Sequence, residues 1–326
     1  MKHLYLIGNG FDLHHGIPCS YQNYRQWLEK KHSDVLHLID AYYECPSSEW
    51  WGNFEESLGE KDIREYARNV ARENYPDFAS DEFRDRDYHA SEIVADDESL
   101  KVCSHIKDTF GEWIESLPTA NGDSRVWLEE EGVFFINFNY TLTLEEIYQI
   151  KPENILHIHG SISDGQYVLG HGKSYEVLKV SAEQEIPEPP GGWEDEYSLS
   201  EWYEQFYDMF IEQAVDATVS RLAEMQKDVK GIIDANKSVF DSLMDVEFVY
   251  IYGLSFSPVD RGYLDKICSS VNLDNVFWEI SCFSRKDEEN AKSFVESHQI
   301  KGGKFRLIRL TDILYSNHYQ LNLEFE

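Results

Sequence analysis

The chain opens with Leu4-Tyr5-Leu6-Ile7-Gly8-Asn9-Gly10-Phe11-Asp12, a short apolar run that feeds straight into a glycine-spaced turn. Such a run has the length of a strand buried on both faces of a parallel sheet. Glycines at alternate positions let the backbone turn sharply and approach a ligand without Cβ interference. A helix after the turn would aim its free N–H groups at that ligand and favour an anion. The pattern predicts the first strand–helix unit of an α/β fold. Its turn reads either as a nucleotide-phosphate loop or as a tight turn without a ligand. It is not the dinucleotide fingerprint, because the next glycine is Gly16 and the G-x-G-x-x-G spacing fails.

Three further segments repeat the design. Val133-Phe134-Phe135-Ile136-Asn137-Phe138-Asn139-Tyr140 is an apolar strand ending in amides. Ile155-Leu156-His157-Ile158-His159-Gly160 is a short strand ending in imidazole and glycine. Phe248-Val249-Tyr250-Ile251-Tyr252-Gly253-Leu254-Ser255 ends in Gly and Ser before Pro258-Val259-Asp260. Open α/β sheets bind ligands beyond the carboxyl ends of their strands, so four such endings point to one shared crevice. Strand–helix alternation returns at 248–309 and implies a parallel sheet. A further strand is expected at 166–170, and a long helical stretch at 198–244 with a break near Gly231. Residues 76–98 carry many charges and read as a mobile excursion. Because sheet elements come from both ends of the chain, the reading is a single α/β domain over 1–326. It has a Rossmann-like parallel sheet, and helical insertions at roughly 20–130 and 173–245 form a cap.

Composition narrows the partners. The net charge of −32 repels phosphate backbones, which argues against broad nucleic-acid binding. Residues 183–216 hold eleven acidic side chains and no Lys or Arg. They read as a solvated face or, alternatively, as a lid or a surface for a basic partner. No stretch approaches the roughly 20 apolar residues of a membrane helix. Five widely spaced cysteines without a C-x-x-C pair suit reduced thiols in a cytoplasm. A homo-oligomer is compatible with all of this.

Several motifs together resemble the AbiH family of bacterial phage abortive-infection proteins. They are Gly8-Asn9-Gly10-Phe11-Asp12, His15-Gly16-Ile17-Pro18, Asn137-Phe138-Asn139-Tyr140-Thr141 with Leu144-Glu145, His157-Ile158-His159-Gly160, Leu169-Gly170-His171-Gly172, and Gly253-Leu254-Ser255 with Asp260. Their order is also similar to that of the sirtuin-like domains of bacterial defence systems. There a G-x-G turn is followed by N-Y-D-x-x-L-E, L-H-G, and G-x-S with a later Asp. Thr141 stands where that pattern has Asp, and Asp12 where it has a small residue. The resemblance implies a sirtuin-like core that cleaves the nicotinamide–ribose bond of NAD. NAD would be its substrate, and a phage or host protein its trigger. It gives the catalytic roles to Asn139 and His159. Nucleotide binding would fall to Gly8, Asn9, Gly10, Phe11, Asp12, Tyr140, Gly160, Gly253, Ser255 and Asp260.

The residue types suit that chemistry. Cleavage passes through an oxocarbenium-like ribose, which a neutral amide and a nearby base can assist. The Asn139 amide both donates and accepts, and an imidazole titrates near working pH. Simpler roles compete: Asn139, Asp12 and Asp260 could each cap a helix. By the two-residue period of a strand, His157 and His159 share a face. With His171 or Asp164 they could form a metal site, although no His-Glu-x-x-His or Cys pair accompanies them. Two other functions stay open: a nucleotide-binding sensor or scaffold without catalysis, and a metal-dependent nuclease.

Overall fold

A computed structural model of the chain describes residues 1–189 and 196–315. Six short strands form one all-parallel sheet: β1 (His3–Ile7), β2 (Val133–Asn137), β3 (Ile155–His157), β4 (Phe248–Tyr252), β5 (Phe277–Ser281) and β6 (Phe305–Ile308). Their spatial order is β3-β2-β1-β4-β5-β6. The chain builds outward from β1 to β3, then crosses back to place β4 on the other side of β1. The topological switch therefore lies between β1 and β4, where open α/β sheets bind ligands.

The strands are apolar because both faces are covered. Leu4, Leu6, Ile136, Val249, Ile251 and Trp278 pack on one face with Tyr263, Leu264 and Ile267 of the helix Arg261–Ser270. Tyr5, Ile7, Phe135, Tyr250 and Tyr252 face the other side with Phe11 and Leu144. The register is flush: Ile7 pairs with both Asn137 and Tyr252, and Asn137 pairs with His157. Gly8, Phe138, Ile158 and Gly253 thus all stand one residue beyond a common row, which makes the rim of the sheet even.

The helices between β1 and β2 and those between β3 and β4 share a third core. Tyr24, Trp51, Phe54, Ile106, Phe110 and Trp113 from the first group meet Val215, Val219 and Leu222 from the second. The long helix Ala90–Glu115 packs on Met209–Ala223, and the latter also meets Ile63–Glu73. Among the described residues no helix is long and apolar enough to cross a membrane.

Three expectations are corrected. Residues 166–170 form no strand; His171 makes a single parallel bridge with Gln226 instead. The helical stretch at 198–244 is interrupted at 205–208, 224–228 and 236 and not at Gly231, whose N–H donates to the capping carboxylate of Asp228 at 2.9 Å. Asp at an N-cap starts a new helix there and outweighs the glycine that follows. Residues 90–98 of the supposed excursion are the first turns of the helix Ala90–Glu115.

Candidate functional site

A cavity of about 980 Å³ opens at the carboxyl ends of the strands, roofed by the helical insertions. It is large enough for a nucleotide. Gly8, Asn9, Gly10, Asp12, Asn139, Tyr140, His159, Gly253, Ser255 and Asp260 all line it. Two residues expected there do not. Phe11 is fully buried beneath the turn in the core with Tyr5 and Leu144. Gly160 serves a turn: at φ +80° any Cβ would lie 2.0 Å from the Gln166 carbonyl oxygen. That turn lets the Val168 N–H donate to the carbonyl of His159 at 2.9 Å.

The glycine turn is held by backbone and does not stand open. Gly8 N–H donates to the Tyr252 carbonyl (2.9 Å), Gly10 N–H to the Gly253 carbonyl (2.8 Å) and Phe11 N–H to the Gly8 carbonyl (2.9 Å). These N–H groups are committed, so the anion cradle expected of the turn is largely spent on joining β1 to β4. The helix it opens, Asn9–His14, has only 6 residues.

Asp12 sits inside that helix and does not cap it. Its carboxylate accepts the hydroxyls of Thr141 (2.5 Å) and Thr143 (2.8 Å). Burial pushes its pKa up to about 6, against the lowering effect of the two hydroxyls. The two positions that depart from the sirtuin-like pattern, Asp12 and Thr141, are therefore bonded to each other. Asn139 caps no helix either, since the helix Thr143–Tyr148 follows Leu142. Its Nδ2 donates to the Gly8 carbonyl at 3.0 Å. Its own N–H donates to Asn137 Oδ1 at 3.1 Å.

The two strand-end histidines separate. β3 stops at His157, so the two-residue period does not carry through to His159. His157 Nε2 lies 2.8 Å from Glu145 Oε1, in the helix beside β2. His159 turns instead to Asp260. Its Nε2 lies 3.3 Å from Asp260 Oδ1, close enough for an ion pair yet out of line for a hydrogen bond. His159 is 3% exposed, with the rings of Phe138 and Tyr263 packed around it. Among the described residues no group of three His, Cys, Asp or Glu is placed to hold a metal. His171 is occupied elsewhere, with Nε2 donating to the Leu222 carbonyl at 2.9 Å. Asp164 accepts the Ser161 hydroxyl at 2.9 Å.

The family model for bacteriophage abortive infection AbiH matches residues 4–282. The chain belongs to the AbiH family. Its motifs are thereby sorted into those that line the cavity of this AbiH chain and those that build its frame. In the frame, His15 spans from the Phe11 carbonyl (Nδ1, 2.7 Å) to the Tyr148 hydroxyl (Nε2, 2.7 Å). Burial lowers its pKa to about 4, which keeps it a neutral bridge. No curated protein and no solved structure matches the chain.

Two site residues escaped the sequence reading. Lys227, with a wholly buried side chain, places Nζ 2.9 Å from Glu55 Oε2 and 3.3 Å from Asp260 Oδ1. Burial alone would lower the lysine's pKa, but the two carboxylates outweigh it and raise it. Burial would likewise raise that of Asp260; the charges of Lys227 and His159 reverse this and hold it well below the usual carboxylate range. Glu55 lies in the short helix Phe54–Ser57 and Lys227 in a turn before Val229–Ala235. No local motif marks either one, because only the fold brings them together.

Proposed function

We propose that this cavity binds NAD or a related nucleotide and hydrolyses its N-glycosidic bond, as the effector arm of abortive infection. The observation that carries the reading is the buried His159–Asp260 pair at the cavity wall, with a ring nitrogen that has no hydrogen-bond partner among the described residues. In the reaction, water adds to the ribose carbon as the base departs. His159 takes the proton of that water, and the ionised Asp260 stabilises the imidazolium that forms. Asn139 Nδ2 is tied to Gly8, which fixes the amide plane and leaves Oδ1 to orient the water or a ribose hydroxyl. The products are ADP-ribose, the free base and a proton.

The test is incubation of the purified protein, with and without phage-infected cell extract, with NAD and related dinucleotides. Release of nicotinamide and ADP-ribose is the expected result. His159→Ala and Asn139→Ala should each cut the rate roughly 10²-fold or more and abolish phage protection while remaining folded. No release under either condition, or variants that protect like wild type, would overturn hydrolysis. A second reading, a nucleotide sensor without turnover, is favoured by the burial of His159, which is 3% exposed and enclosed by the rings of Phe138 and Tyr263. Saturable NAD binding without product would decide for it.

A further inference from the structure

Leu169-Gly170-His171-Gly172 does not reach the reacting groups through its imidazole, yet it is built with unusual closeness. Gly170 runs so near the chain at 225 that a Cβ would lie 1.9 Å from the Met225 carbonyl oxygen. His171 N–H donates to that carbonyl at 3.1 Å, and the His171 carbonyl accepts the N–H of Lys227 at 2.8 Å. The ring of His171 closes the same junction. Nδ1 accepts the Lys173 N–H at 3.1 Å, so Nε2 carries the proton donated to Leu222. Burial holds this imidazole below its usual range, in the neutral form that such a bridge needs. On its other side the ring rests against Gly59, where a Cβ would come within 3.0 Å. Gly59 follows Glu55 by one helical turn.

The result is a clamp that fixes both ends of a buried ion network. It sets the backbone of Lys227 on one side and packs against the segment carrying Glu55 on the other. We infer that Lys227 is a positioning residue for His159: clamped by Gly170 and His171, it holds Asp260 against the imidazole and sets the charge that the imidazole meets. Lys227 Nζ and His159 Nε2 lie at the same distance, 3.3 Å, from one oxygen, Asp260 Oδ1. The groups around His159 are few. Asp260 and Tyr263 come from the start of the helix Arg261–Ser270, and Tyr140 from the β2 end. Glu55 and Lys227 act through Asp260. A buried cation between two carboxylates offsets their desolvation; without it Asp260 is left with His159 at 3.3 Å and Glu55 with the Tyr140 hydroxyl at 3.5 Å.

The catalytic arm of this inference rests on the hydrolase reading, but the positioning arm does not. Histidine-labelled protein is titrated by NMR, with the His159 signal assigned by its loss in His159→Gln. Lys227→Met removes a positive charge beside the pair, so the His159 midpoint should rise relative to wild type. Lys227→Met combined with Glu55→Gln removes one charge of each sign and spares the core an unpaired carboxylate. It should bring the midpoint back toward wild type. If wild type cleaves NAD, the acid limb of the rate profile should move with the midpoint in Lys227→Met. In the double variant kcat should stay low at near-constant KM, because Asp260 is no longer held. A midpoint unmoved in Lys227→Met or, where that variant does not fold, full kcat in the folded double variant overturns the inference. Absence of NAD cleavage in wild type overturns only the hydrolase reading and leaves the titration result standing.

Discussion

Asp12 is retained at a cost in stability. An acid whose pKa rises from 3.8 unfolded to about 6 folded holds a proton in the native state that the unfolded chain has lost. Stability therefore falls as pH climbs from about 4 to about 6, and the deficit is complete above that window. Two units correspond to an order of 3 kcal/mol. Asp12→Asn removes the charge, and its amide can still bond both Thr141 and Thr143. The variant should melt higher than wild type at pH 7.5, and the gap should close near pH 4 in calorimetric scans. It should also lose phage protection, if the cavity uses the carboxylate. An equal or lower melting temperature at pH 7.5 would show that the two threonines fully repay the burial. The sequence made Asp12 visible as a candidate because it follows the glycine turn. It could not show that the acid is paired with Thr141, 129 positions away, since only the adjacency of β1 and β2 creates that bond.

At the scale of elements, the sheet was legible because its strands announce themselves. Apolar runs of about five residues end in Gly, Asn, His or Ser, and the chain places each of those endings on one rim. Tyr167-Val168-Leu169 misled for the same reason, being apolar without a strand to pair with. Its backbone meets the site wall instead: the Val168 N–H donates to the His159 carbonyl and the Val168 carbonyl accepts the Tyr140 hydroxyl, both at 2.9 Å. Helix breaks were less legible, because Asp228 and its cap compete with a conspicuous glycine three residues on. The site was legible only where strands end; Glu55 and Lys227 come from the helical insertions, whose packing no local pattern reveals. The turn contact can be tested directly. Gly253 sits at φ +71°, and a Cβ there would lie 2.0 Å from the Phe11 backbone nitrogen. Gly253→Ala combines a left-handed strain of roughly 1–3 kcal/mol with a displaced β1–β4 junction. Urea unfolding should show a loss of at least that size. Wild-type stability in this variant would mean that the junction is soft and the flush rim is not needed.

At the scale of the molecule, two kinds of electrostatics oppose each other. The ion network of Glu55, Lys227, Asp260 and His159 is buried, so salt reaches it poorly. The surface carries most of a net charge of −32, which repels itself at low ionic strength. Screening should relieve the surface and leave the network intact. The melting temperature should therefore rise as NaCl goes from about 20 mM to about 500 mM, where the Debye length shortens to a few ångströms. The run at 183–216 concentrates the effect, although residues 190–195 of its proline-glycine loop lie outside the described residues. Replacing its exposed Glu183, Glu185, Glu201 and Glu204 by Gln should raise the low-salt melting temperature and flatten the salt dependence. The capping carboxylate of Asp208 is left in place so that the helix Met209–Ala223 keeps its start. The same variant separates a solvated face from a working one. If the run is only solvated, phage protection stays at the wild-type level in the stabilised protein. If it restrains the cavity or receives a basic trigger protein, protection or basal toxicity changes even though the fold is firmer. A variant that neither gains stability at low salt nor changes the response to phage would locate the repulsion elsewhere on the surface.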